Sequence, residues 1–268
     1  MTEHPLLLVT GAAGGLGREL VPRLRAGGFR VRSLDLPTPG GAADGECDEV
    51  LVGSVTDTDV VDRAVAGVDA VVHLAGLSKE RAWPDVLQAN VHGTWVLLDA
   101  CVRAGVTKVV FASSNHAVGL TGRPEGELLA ADTPFRADSY YGWSKTAGES
   151  LCRLFVDRAG LDVVVLRIGS CFPHPGGVRG LSTWMSYDDC ARLVTAAVAP
   201  QVTGWHCVWG VSANTRRWWS LAEGEAIGYH PQDDSEQFAA EVFAAEGPQE
   251  DDDLVGGDFH RTPLGEPN

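Results

Sequence analysis

A continuous apolar run, Leu6-Leu7-Leu8-Val9, leads almost directly into Gly11-x-x-Gly14-x-x-Gly17. An uninterrupted apolar run suits a strand buried on both faces, which requires helices on each side of its sheet. Glycines at that spacing let the backbone turn tightly and approach a pyrophosphate. A helix starting there offers free N–H groups and the positive end of its dipole. The motif gains its meaning from lying between a strand and a helix, and here the helix is expected to run to about Ala26. Gly11, Gly14, Gly15, Leu16 and Gly17 are therefore the expected cradle of a dinucleotide.

The pattern continues as alternating strands and helices. Strands are expected at Phe29–Leu34, ending at Asp35, then at Val50–Gly53, Ala70–Leu74, Lys108–Ala112 and Val163–Ile168. Helices are expected from about Asp57 to Ala66, Pro84 to Ala104, and Tyr141 to Ala159. This rhythm implies an α/β fold, a right-handed doubly wound parallel sheet of Rossmann type with helices on both faces. Residues 1–169 would form the nucleotide-binding core. After Ile168 the composition changes. Residues 170–186 are rich in Gly, Pro and Ser and read as a loop-dominated arm. A helix from about Tyr187 to Val198 and a short strand, Trp205–Trp209, follow. Residues 231–268 are acidic, include the run Glu250-Asp251-Asp252-Asp253, and read as a solvated or partly disordered extension. Residues 170–268 would thus add a small C-terminal substrate-binding lobe to the same structural unit.

Asp35, ending the second strand, is placed to accept hydrogen bonds from the adenosine ribose. Its charge would repel a 2′-phosphate, so NAD is favoured over NADP. Ala75-Gly76, leaving the fourth strand, should pass close to the same cofactor. Tyr141 and Lys145 are four residues apart and share one helix face. The chain has only three lysines against eighteen arginines, so this position uses its rarer cation. An ammonium beside a phenol favours phenolate, which would lower the tyrosine pKa and make its hydroxyl a general base. His116 lies at the C-terminal end of a parallel strand, where such sheets bind ligands. Arg167, inside a buried strand, should be structural and paired, and Trp218-Trp219 should be packing.

The net charge of −15 argues against nucleic acid and against anionic membrane surfaces. One local arginine could still bind an anionic small molecule. The six cysteines are scattered, with no C-x-x-C pair, so neither a metal site nor a disulfide framework is expected and a reducing cytoplasm is the default compartment. No apolar run reaches membrane length.

The set Gly11/Gly14/Gly17, Asp35, Leu74-Ala75-Gly76, Asn90, Ser113-Ser114 and Tyr141/Lys145 resembles the extended short-chain dehydrogenase/reductase superfamily across nearly the whole chain. More specific segments resemble uronate dehydrogenases. These are Phe111 to Gly119, Leu166 to Cys171, Arg179 to Asp189, and Val208 to Asn214 with Trp218-Trp219. The resemblance implies NAD-dependent oxidation of glucuronate or galacturonate at the anomeric carbon, giving an aldarolactone. It implies Tyr141 as base, Lys145 as its partner and a contact to the nicotinamide ribose, and Ser114 holding the reacting oxygen. It places Leu74 and Asn90 with the cofactor and assigns substrate contacts to Ser78, Ser114, Asn115, His116, Tyr141, Ser170 and Arg179. An arginine offers the substrate carboxylate a bidentate fork that lysine cannot. One position departs from the pattern: relatives carry an acidic residue after the third strand, near the adenine, where this chain has Ser54, which can still hydrogen-bond. A homo-oligomer is expected. The competing expectations are a nucleotide-sugar epimerase or dehydratase of the same superfamily and a catalytically silent NAD-binding sensor. The short stretch after the sixth strand disfavours the first, and the complete Ser114/Tyr141/Lys145 set disfavours the second.

Overall fold

The computed structural model describes residues 4–37, 47–247 and 253–267. Seven strands form one parallel sheet: β1 (Leu6–Thr10), β2 (Arg30–Asp35), β3 (Glu49–Val52), β4 (Ala70–His73), β5 (Lys108–Ser114), β6 (Asp162–Ile168) and β9 (Trp205–Gly210). Their order across the sheet is β3-β2-β1-β4-β5-β6-β9. The chain reverses direction between β1 and β4, the topological switch at which such sheets bind nucleotides. β7 (Ser170–Cys171) and β8 (Trp184–Met185) pair in parallel as a separate two-stranded sheet.

The alternation of side chains along each strand explains the layering. Leu7 and Val9 enter one apolar layer with Leu20, Val21 and Leu24 of α1 (Gly15–Ala26) and Leu193, Val194 and Ala197 of α7 (Tyr187–Ala197). Leu6 and Leu8 point to the opposite layer, against α2 (Thr58–Val65), α4 (Gly93–Ala104) and α5 (Tyr140–Ala159). All five β1 residues are buried. Each leucine so buried stabilises the fold by about 2 kcal/mol, which is why this strand tolerates no polar side chain in its apolar stretch.

The expected strands and helices occur, with four differences. The region expected as one helix to Ala104 is a short helix α3 (Trp83–Val86), a π-helical turn over Leu87–His92, and then α4. The π turn contains Asn90. The arm at 170–186 is not loop-dominated: it carries β7, the helix α6 (Gly177–Thr183) and β8. The fifth strand continues two residues further than expected, through Ser113 and Ser114, so both serines sit on sheet backbone.

The fourth difference is the acidic extension. Residues 239–246 form helix α9, preceded by a 3₁₀ turn at Ser235–Phe238, after the short helix α8 (Ala222–Ala226). Residues 253–267 form a strap that returns over the C-terminal edge of the sheet. Val255 is fully buried, Leu254 bridges Gly122, and the Gly256 N–H donates to the Gly119 carbonyl at 2.8 Å. Most of the acidic run, Glu250–Asp252, lies outside the described residues. The pairing expected for Arg167 is present. Its guanidinium makes a fork onto Glu149, with Nη2–Oε2 at 2.9 Å, and both side chains are nearly inaccessible. Trp209 and Trp219 stack at 4.5 Å in the core, consistent with a packing role for the tryptophan pair.

Candidate active site

One cavity of about 680 Å³ runs across the C-terminal edge of the sheet. It begins at Gly11, Gly14, Gly15, Leu16, Gly17, Asp35 and Ser54, passes Leu74, Ala75, Gly76 and Ser78, and ends among Ser114, Asn115, His116, Tyr141, Lys145, Ser170 and Arg179. Every site residue expected from sequence lines it except Asn90.

The glycine turn fits a pyrophosphate for a steric reason. Gly11 has φ +73°, and a Cβ there would meet the Ala75 nitrogen at 2.7 Å. A Cβ on Gly17 would lie 2.3 Å from the Gly11 carbonyl oxygen, so only glycine lets α1 pack against the turn. Around Gly15 nothing lies within 4 Å, leaving open space at the start of α1, where the helix N–H groups are free to meet an anion. The Asp35 carboxylate is held in place by the N–H groups of Ala13 and Leu36, each at 2.7 Å. Ser54 bonds Thr56 at 2.8 Å beside it. The residues present thus fit a dinucleotide.

Asn90 has a different place. Its side chain donates to the Leu77 carbonyl at 2.9 Å and to Ser144 Oγ at 2.8 Å, and accepts from the Leu77 N–H at 2.7 Å. Its polar atoms are thereby committed to holding the β4 exit loop against α5. The π turn is what swings it there. Asn90, expected with the cofactor, does not line the cavity and supports the Leu77 loop from behind.

At the other end, Ser139 caps α5 by accepting from the Gly142 N–H at 2.9 Å. Buried Glu80 accepts from the N–H groups of Tyr140 and Tyr141 at 3.2 and 2.9 Å. These contacts fix the first turn of α5, and with it Tyr141. Tyr141 and Ser114 line the same cavity, and Ser114 Oγ donates to Asn115 Oδ1 at 3.1 Å. Lys145 donates to the Ala112 carbonyl at 2.9 Å, and its nitrogen lies 5.7 Å from the Tyr141 ring centroid. Burial pushes the Lys145 ammonium down to about 8, with Glu149 opposing.

The expectation that Lys145 lowers the Tyr141 pKa is not met in the protein alone. Burial raises the phenol above its ordinary value, the Ser114 hydrogen bond offsets this in part, and the Asp138 charge adds to the rise. The spacing put the two groups on one face, but Lys145 is turned to a backbone carbonyl and cannot outweigh desolvation at that distance.

Arg179 sits on α6, a helix rather than the loop expected there. Its Nη2 donates to the Val255 carbonyl of the strap. The same carbonyl accepts from Asn115 Nδ2 at 2.8 Å. Ser170 Oγ bonds Thr183 Oγ at 2.9 Å. His116 packs on Phe259 of the strap, ring centroids 4.2 Å apart, and meets Tyr141 edge-on at 5.8 Å. Phe259, Phe172 and Tyr187 also line the cavity and were not expected. The signal for Phe259 was present: Leu254-Val255-Gly256-Gly257 and Phe259 form an apolar, glycine-containing cluster inside an acidic stretch.

A phenol and a serine lining one cavity, near a buried ammonium and at the end of a cleft that fits a dinucleotide, can pass a proton from a substrate hydroxyl while hydride leaves the same carbon. Residues 7–199 match the NAD dependent epimerase/dehydratase family. A uronate dehydrogenase of Pseudomonas syringae pv. tomato is 42% identical over 263 residues, covering 96% of this chain and 94% of its own length. A mutant of the uronate dehydrogenase of Agrobacterium tumefaciens, complexed with NAD, superposes with a TM-score of 0.89 at 37% identity, covering 97% and 98% of the two chains. The glucuronic acid dehydrogenase of Chromohalobacter salexigens gives a TM-score of 0.90 at 37% identity over 97% and 98%. The chain belongs to the NAD-dependent epimerase/dehydratase family and, within it, to the uronate dehydrogenases.

Proposed function

We propose that the protein oxidises a free hexuronic acid, D-glucuronate or D-galacturonate, at C1 to the aldarolactone, with NAD as acceptor. The observation that carries this reading is that Arg179 lines the same cavity as Ser114, Tyr141 and Lys145. NAD, when bound, supplies the cationic ring that accepts the hydride. Tyr141 takes the C1 hydroxyl proton, Ser114 hydrogen-bonds the oxygen as it becomes a carbonyl, and Lys145 places a positive charge beneath both. Arg179 forks the C6 carboxylate.

The test compares parent and Arg179→Ala, each with glucuronate and with neutral glucose. Loss of a charge-assisted fork should lower kcat/KM for glucuronate by about 30- to 1,000-fold and leave the poor glucose activity nearly unchanged. Arg179→Lys should recover part of the loss. Because Arg179 also holds the Val255 carbonyl, equal losses on both sugars would show that it secures the strap and does not read the carboxylate.

A further inference from the structure

We propose that Asp138, through His116, determines how the substrate is held: it is a positioning residue that fixes the imidazole so that Nε2 accepts a hydrogen bond from a sugar hydroxyl. The inference rests on the uronate reading for its substrate and on the following geometry for its chemistry.

Asp138 precedes the α5 cap and its side chain has no solvent exposure. Oδ2 lies 2.6 Å from His116 Nδ1, and Oδ1 accepts from Ser139 Oγ at 2.8 Å. Three glycines close around this carboxylate. A Cβ on Gly119 would lie 1.9 Å from Oδ2, one on Gly256 would lie 2.0 Å from it, and one on Gly142 would lie 2.9 Å from Oδ1. They come from three separate segments: the turn after β5, the strap, and α5. Any side chain at these points would displace the carboxylate from the ring nitrogen. Such a box restricts the carboxylate to one position and, through it, the imidazole.

The chemical consequence follows from the two ring nitrogens. His116 lines the cavity with Nδ1 committed to Asp138, and a ring that donates Nδ1–H there and holds no second proton has its lone pair on Nε2. The ring cannot rotate away, since Phe259 packs on it at 4.2 Å and Tyr141 meets its edge at 5.8 Å. An acceptor at Nε2 selects a hydroxyl donor and repels a carboxylate. His116 and Arg179 are then complementary: the guanidinium offers only donors and takes the carboxylate, and the imidazole takes a ring hydroxyl. Together they leave a sugar acid one orientation over Tyr141.

The test is a double-mutant cycle of Asp138→Asn and His116→Gln, with glucuronate kinetics, NAD affinity and melting temperature measured on all four proteins. A second readout is the ¹⁵N spectrum of the His116 ring in the free parent and in Asp138→Asn. An asparagine can turn its amide and donate to Nδ1, which would release the opposite tautomer. Asp138→Asn should raise KM for glucuronate by about 10- to 100-fold with kcat within about threefold, because a ground-state contact is lost. In the His116→Gln background the same change should add less than about threefold, because both act through one contact. NAD affinity should not move. In the free parent, Nδ1 should be the protonated nitrogen and Nε2 the bare one, and Asp138→Asn should abolish that preference. Additive losses in the cycle, a KM unaffected by Asp138→Asn, or a proton on Nε2 in the parent would each overturn the proposal. If the parent fails to oxidise glucuronate, the uronate reading falls, while the ring spectrum still decides the tautomer without any substrate.

Discussion

Lys145 provides a test of the site that needs no substrate. Burial lowers its ammonium from 10.5 to about 8, so between those values the unfolded chain binds a proton that the folded protein does not. Stability therefore rises with pH across that window, as the cost of burying the charge disappears. Fractional protonation in the two states gives a gain of about 2 kcal/mol between about pH 7.5 and about pH 9.5. Lys145→Met retains the length of the side chain and removes the titration. It also removes the hydrogen bond to the Ala112 carbonyl, which is a constant offset independent of pH. The assay is urea unfolding of parent and variant at a series of pH values, with the difference between the two as the quantity of interest. Buried thiols such as Cys101, pushed up to about 12, lower stability at high pH, but they are present in both proteins and cancel. The parent should gain on the variant by about 2 kcal/mol over the window. A flat difference would show that burial leaves the ammonium near its ordinary value, whether solvated or held charged by a partner, and would remove the argument that Lys145 begins to lose its proton near pH 8 in the free enzyme.

Two further outcomes concern the chemistry directly. Tyr141→Phe should lower kcat by about two orders of magnitude or more while NAD still binds, and activity within a few-fold of the parent would mean that another group takes the proton. With Asp35 held toward the ribose end of the cavity by two N–H groups, kcat/KM for NAD should exceed that for NADP by at least about 100-fold. Asp35→Ser should narrow that gap, and equal use of both cofactors by the parent would refute the role of the carboxylate.

The sheet was legible because strands buried on both faces leave long apolar runs, and the glycine turn because its conformation excludes other residues. Gly17 shows the second case: a methyl group there would overlap the Gly11 carbonyl. What the sequence hid has a common cause, which is that contacts distant along the chain decided the outcome. Asn90 was placed with the cofactor by resemblance, and in the structure it lies in a π turn and bonds Ser144, 54 residues away. Tyr141 and Lys145 were correctly placed on one face, yet periodicity says nothing about desolvation, and burial decided the phenol's pKa. The strap was obscured by its acidic neighbours, although Phe259 lines the cavity and the Val255 carbonyl bonds two of its lining residues. Those two, Asn115 and Arg179, lie 140 and 76 residues earlier in the chain.

A strongly acidic protein that binds a sugar acid must keep its own carboxylates from repelling the ligand. The three buried carboxylates around the Tyr141 end of the cavity show how this is done. Glu80 receives the N–H groups of Tyr140, Tyr141 and Gly265, the last at 2.8 Å. Glu149 is forked by Arg167 and bonded by Ser113. Asp138 is bonded by His116 and Ser139. Each buried carboxylate is thus matched by donors, where a buried charge without partners would cost several kcal/mol. Each match also joins segments far apart in the chain: Glu80 links the β4 exit, α5 and the strap, Glu149 links α5 to β5 and β6, and Asp138 links the turn after β5 to the α5 cap. The donors that satisfy the acids are the same contacts that position the base, the serine strand and the histidine. Arg179 and Lys145 meet backbone carbonyls rather than these three carboxylates. Arg179 and Lys145 thus bring two cations to the lining of a cavity in a chain whose net charge is −15.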